Sequence, residues 1–102
     1  MVTTTTDRYV PLTDEQVTGA LRPLPHWRYD GSRLVRQVTP VDLWGLLSDV
    51  VALEEELDHH TVVDLDRGTV IFTVWTHVRN AVTMADVELA DRLEALLALH
   101  TA

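Results

Sequence analysis

The chain predicts an α+β domain of order α-β-β-α-β-β-α, a four-stranded antiparallel sheet with its helices packed on one face. Three observations predict it. Two turn clusters, Asp30-Gly31-Ser32 and Asp66-Arg67-Gly68, each divide a pair of β-prone runs, as hairpins do. Apolar residues recur at helical spacing in the stretches between and after those hairpins. A Thr-x-x-Gln and a Thr-x-x-Asp signal mark the starts of the first and last helices. Helices segregated to one face of an antiparallel sheet are the natural packing for this order.

The elements follow in turn. Residues 1–10, with Thr3 to Thr6, carry no core-forming pattern and read as a flexible arm ahead of a single domain over 11–102. Thr13 and Gln16 form a capping box, and the short helix they open runs to about Leu21, stopped by Pro23 and Pro25. Trp27 to Tyr29 and Leu34 to Val38 make the first hairpin. Pro40 suits the opening of the second helix, because its missing N–H has no partner in a first turn. Leu43, Trp44, Leu47, Val50, Val51 and Leu57 define its apolar face, and it runs to about Asp58. Thr61 to Leu65 and Thr69 to Thr76 make the second hairpin, in which Val70-Ile71-Phe72-Thr73-Val74-Trp75 has strong β character. Thr83 starts the last helix, with Val87, Leu89, Ala90, Leu93, Leu96 and Leu97 as its apolar stripe.

Composition narrows the functions. At 102 residues the chain holds one core and not two. No apolar run reaches the roughly 18–20 residues that span a bilayer. The polar start, without a basic head and apolar stretch, is not a secretory signal. With no cysteine there is no disulfide and no thiolate nucleophile or ligand, which fits a reducing, cytoplasmic setting. Sixteen acidic against eight basic residues give a net charge of −8, which disfavours direct contact with a phosphate backbone. A small molecule or another protein is the expected partner. Covering one sheet face only also predicts self-association.

The chemistry concentrates at Asp58-His59-His60, Thr76-His77 and Asp86. Imidazole moves protons near neutral pH, and three of the five histidines flank one hairpin. Alternation along the strand puts Ile71, Thr73, Trp75 and His77 on one side, with His77 at the strand end and Trp75 the tryptophan best placed to face a ligand. Adjacent His59 and His60 cannot point the same way, so one acts on a ligand while the other lines the rim or orients it. Plainer roles compete. A histidine at a helix end can serve the helix dipole. Asp86, three residues after Thr83, can be a capping carboxylate. The Glu54 to Glu56 run can be a solvated face, and the tryptophans can be core or interface. A metal site completed by Asp58, Asp86 or Glu55 is a further reading, weakened because adjacent histidines chelate poorly and no thiolate is present.

These residues also carry a resemblance. Ala52-x-x-Glu55-x-x-Asp58-His59-His60, Thr76-His77 and Thr83-x-x-Asp86-x-x-Leu89-Ala90 resemble the signature of the pterin-4a-carbinolamine dehydratases, with matching intervals and no gap. Upstream, Leu12-Thr13, Leu24, Trp27, Leu34-x-Arg36 and Trp44 fit as well, so the resemblance runs from about Leu12 to Leu97. It implies dehydration of a 4a-hydroxytetrahydropterin to the quinonoid dihydropterin without metal or organic cofactor, in tetrahydrobiopterin recycling beside aromatic amino-acid hydroxylases. It implies His59 and His77 as the acid/base pair, His60 lining the pocket and Asp86 supporting a histidine. Glu55, Asp58, Thr61, Trp75 and Thr76 would form the substrate-binding surround, in a homodimer or homotetramer. Thr61 stands where the family usually has proline, Val63 and Asp66 where aromatics are usual, and Ala81-Val82 where Gly-Leu is usual. Those departures favour the alternative, a non-catalytic relative serving as a protein-binding or assembly module, of the dimerisation-cofactor or Rubisco-assembly kind.

Overall fold

A computed structural model describes residues 8–101. Of the arm expected over residues 1–10, residues 1–7 lie outside the described residues. The elements are α1 (Asp14–Ala20), β1 (Arg28–Tyr29), β2 (Leu34–Val38), α2 (Leu43–Leu57), β3 (Val62–Asp66), β4 (Thr69–Val74), a 3-10 turn (His77–Arg79) and α3 (Met84–His100). The strands form one antiparallel sheet in the order β1-β2-β4-β3. The expected α-β-β-α-β-β-α order and the four-stranded antiparallel sheet are therefore present.

Local chemistry explains most boundaries. Thr13 and Gln16 satisfy each other's backbone N–H groups in a capping box at α1, and Thr83 and Asp86 do the same at α3. Arg67 and Gly68 both have positive φ, the two-residue hairpin turn whose twist matches its strands. In the first hairpin the Asp30 carboxylate accepts from the N–H groups of Ser32 and Arg33, at 2.9 and 2.7 Å, and so shapes the turn.

Alternation along β4 sorts its side chains. Val70, Phe72 and Val74 are buried, while Ile71, Thr73 and Trp75 on the other face are half-buried. Against the buried face lie Leu34 and Val38 of β2 and Leu89, Ala90, Leu93 and Leu97 of α3, with Leu46, Val50 and Leu53 of α2 completing the core. β3 forms an edge, exposed along its whole length.

Three expectations about boundaries and faces need correction. Pro40 does not open α2: Asp42 is the N-cap, accepting from the Gly45 N–H at 3.1 Å, because a carboxylate satisfies a first-turn donor and proline only tolerates the site. The buried stripe of α2 is Leu46, Val50 and Leu53, flanked by Leu43 and Leu57; Trp44, 75% exposed, and Val51 face outward. The helix carries two neighbouring apolar stripes, and only the one facing α3 is covered. Third, β4 stops at Val74 rather than Thr76. Thr76 instead pairs with Ala81 across the 3-10 turn, which closes on Asn80 in the left-handed conformation.

Trp27 is buried and its Nε1–H donates to Glu94 Oε1 at 2.9 Å, beside Arg36 Nε at 3.0 Å. Burial pushes the Glu94 carboxyl up. The hydrogen bonds and charge of Arg36, with the Trp27 bond, outweigh it and hold the carboxyl below its ordinary value of 4.5. Its contribution to stability is therefore complete above about pH 4.5 and is lost as the pH falls through the lower folded-state value. Denaturant unfolding across an acid pH series checks this: Glu94→Gln is expected to flatten that part of the curve relative to wild type.

Candidate active site

The end of α2 sets the first part of the site. Asp58 ends the helix in the left-handed conformation, and the N–H groups of Asp58 and His59 both reach back to the Glu54 carbonyl. This reversal turns the two histidines opposite ways. His59 is buried, 9% exposed, whereas the His60 side chain is 76% exposed, with Nδ1 3.9 Å from Glu54 Oε1. The other Glu54 oxygen accepts the Thr61 N–H at 2.7 Å, so this carboxylate pins the turn.

The start of α3 supplies the partner. Asp86 is fully buried, yet every contact its carboxylate makes is to a donor. Oδ1 meets His59 Nε2 at 2.5 Å. Oδ2 accepts from the Thr83 N–H and the Thr76 hydroxyl, each at 2.8 Å, and Thr76 also lies 2.7 Å from the Thr83 hydroxyl. Buried charge is tolerable only with such full pairing. The helix N-terminus, positive by its dipole, adds to it. A carboxylate accepts, so His59 Nε2 carries the hydrogen; Nδ1, unbonded among the described residues, is left for proton exchange.

His77 comes from the 3-10 turn after β4. It is exposed, and its ring stacks on Trp75 with centroids 4.0 Å apart and planes 19° from parallel. Between the two chain segments lies a cleft of ≈ 360 Å³, bordered by Tyr9, Asp58, His59, His60, Thr76, His77 and Val78. That is within the size range of small-molecule sites.

The expected site residues are thus placed as follows. His59, His60, His77, Asp58 and Thr76 border the cleft, with Asp86 directly behind His59 and Trp75 against His77. Thr61 stands outside the cleft, its hydroxyl donating to the Thr73 carbonyl, and Glu55 is exposed on α2 away from the lining. Among the described residues no three His, Cys, Asp or Glu side chains converge as a metal site would require. Sequence reasoning missed Glu54 and Tyr9. Glu54 carried a signal, lying in the last turn of the helix. Tyr9 carried none, because it reaches the cleft through the Arg8–Glu88 ion pair at 2.7 Å and the Leu12 N–H to Val82 carbonyl bond, both tertiary.

Fold and cleft together define an α+β domain with a histidine-lined, carboxylate-backed pocket at one end of its sheet. The family model for pterin 4 alpha carbinolamine dehydratase matches residues 10–96, and the chain belongs to that family. It is 40% identical over 96 residues to a protein of Streptomyces coelicolor and 38% identical over 96 residues to one of Streptomyces avermitilis, both carrying the name "Putative pterin-4-alpha-carbinolamine dehydratase". Each alignment covers 90% of this chain and 95% of the relative. A crystal structure of a transcriptional coactivator/pterin dehydratase from Brucella melitensis superposes with a TM-score of 0.79 at 29% identity, over 86% of this chain and 99% of that one.

The double duty of Asp86 has a measurable consequence. Asp86→Ala removes the N3 half of the Thr83 capping box, on the order of the ~1 kcal/mol of a lost cap, and strands buried donors at ~1–3 kcal/mol. Denaturant unfolding is expected to show a loss of about 2–4 kcal/mol, against about 1 kcal/mol for Thr13→Ala, which removes a cap alone.

Proposed function

We propose that this protein dehydrates a 4a-hydroxytetrahydropterin to the quinonoid dihydropterin in tetrahydrobiopterin recycling, using histidines as acid and base and no cofactor. One observation carries the reading: His59, tied to Asp86, and His77, from a separate segment, border the same cleft. The reaction removes the 4a-hydroxyl and the N5 hydrogen as water. His59 donates a proton to the departing hydroxyl, with Asp86 fixing the ring and offsetting the charge of its protonated form. His77 accepts the N5 proton. His60 and Asp58 bind the ring at the rim, buried Thr76 lines the cleft with its hydroxyl tied to Asp86, Tyr9 closes one side, and Trp75 backs His77.

The reading extends to assembly and setting. We take the active species to be a homodimer or homotetramer, supported by the outward apolar residues Val41, Trp44 and Val51 and by the exposed edge strand with Val63 and Leu65. Sedimentation equilibrium at micromolar concentration is expected to give a mass at least twice that of the chain. Among the described residues no helix is long and apolar enough to cross a membrane, and the absence of cysteine supports a cytoplasmic location.

The second reading, a protein-binding or assembly module of weak or no activity, is favoured by the same uncovered surfaces and by the coactivator named in the Brucella structure. Activity separates the two. With chemically generated 4a-hydroxytetrahydropterin, wild type is expected to exceed the spontaneous rate, and His59→Ala and His77→Ala each to lower kcat by about 10²–10⁴-fold. A wild type no faster than buffer hands the protein to the module reading.

A further inference from the structure

Trp75 has a second neighbour. The Arg33 guanidinium lies over its indole at 4.1 Å from the ring centre, while the His77 imidazole stacks on the same indole. Arg33 immediately precedes Leu34, whose register partner Val74 immediately precedes Trp75, so guanidinium and indole come from positions just beyond the last pair of β2 and β4. A second nitrogen of the same guanidinium donates to Asn80 Oδ1 at 2.9 Å. Asn80 ends the turn that begins at His77: it is in the left-handed conformation, and its N–H bonds to the His77 carbonyl at 3.1 Å. One side chain therefore grips both supports of His77, the ring it lies against and the turn that carries its backbone.

We propose that Arg33 is a positioning residue for His77, holding the imidazole at the cleft through Trp75 and Asn80. The need for such a device is physical. His77 is exposed, sits on a turn outside the ladder, and makes no side-chain hydrogen bond among the described residues. An unheld exposed imidazole samples several rotamers, and proton transfer tolerates little misplacement. His59 is held by a buried carboxylate; His77 is held by stacking, so the pair is fixed by two different interactions. Arginine suits the task because its planar fork stacks and hydrogen-bonds at once, which an ammonium group cannot do. Arg33 itself is placed by the Asp30 carboxylate, which accepts its backbone N–H at 2.7 Å, and by a bond from Nη1 to the Ser32 carbonyl at 3.1 Å.

The inference rests on the dehydratase reading for its kinetic consequence, and its structural half can be measured apart from activity. A stacked indole shields the imidazole, so the His77 ring-proton resonance, assigned by its loss in His77→Gln, is expected upfield of that of exposed His26. In Arg33→Ala it is expected to move toward the His26 position, while kcat falls on the order of 10–100-fold and KM stays within about twofold. Arg33→Lys is expected not to rescue either readout. Asn80→Gly, which keeps the left-handed backbone but removes the anchoring oxygen, is expected to show an intermediate change, and Arg28→Ala on the same hairpin none. An unmoved resonance in Arg33→Ala, full rescue by lysine, or a raised KM with unchanged kcat overturns the proposal. Should Arg33→Ala fail to fold, Arg33→Lys and Asn80→Gly test the proposal by the same readouts. If wild type proves inactive, the dehydratase reading falls, and the resonance alone decides whether Arg33 positions the ring.

Discussion

The structure depends on the buried Asp86 carboxylate. Its two oxygens receive a backbone N–H, a hydroxyl and an imidazole N–H, contributed by the loop before α3, the segment just after β4 and the turn that follows α2. Three separate elements thus meet on one charge that water cannot reach. A lone buried carboxylate would cost several kcal/mol or more, so the surrounding donors are as necessary to it as it is to them. Capping and histidine support, two readings that compete in the sequence, are here the same interaction.

That junction also aligns the two long helices. α2 ends where α3 begins, so the pair runs antiparallel, and its far end is closed as well. There the Val41 N–H donates to the His100 carbonyl at 2.8 Å, and His100 Nε2 reaches back to Asp49 Oδ2, midway along α2, at 2.8 Å. Between these ends the buried contact is apolar, through Leu46, Val50 and Leu53 against α3, with the Arg92–Glu56 ion pair at 2.7 Å on its exposed side. Polar groups fix the register, and burial of apolar area supplies the stability.

The sheet leaves its open surfaces at one edge and one end. Its central strands β2 and β4 are covered by α3, while β3 is left exposed along its length. The cleft opens at the end of β4, where the chain leaves the ladder and polar groups no longer need strand partners. There a short turn can present His77 without disturbing the core. The turn's own bonds join backbone groups only, and the His77 ring lies against Trp75, which in turn lies under the Arg33 guanidinium.

Element order, both hairpins, the capping boxes at Thr13 and Thr83 and the cluster of His59, His60, His77 and Asp86 were legible in the sequence. Each rests on local spacing, turn chemistry or a short motif, which the chain carries within a few residues. Other features were not legible. Whether Trp44 or Leu46 faces the core depends on which of two adjacent stripes of α2 meets α3, and periodicity leaves both open. Which histidine of the pair turns inward depends on the left-handed backbone at Asp58. Glu54 in place of Glu55, and Tyr9 at the cleft wall, depend on contacts between residues distant along the chain. Local propensity specified the elements, and short motifs marked the histidines and Asp86. Only tertiary packing decided which groups meet, because burial and hydrogen-bond satisfaction are properties of surfaces brought together by the fold.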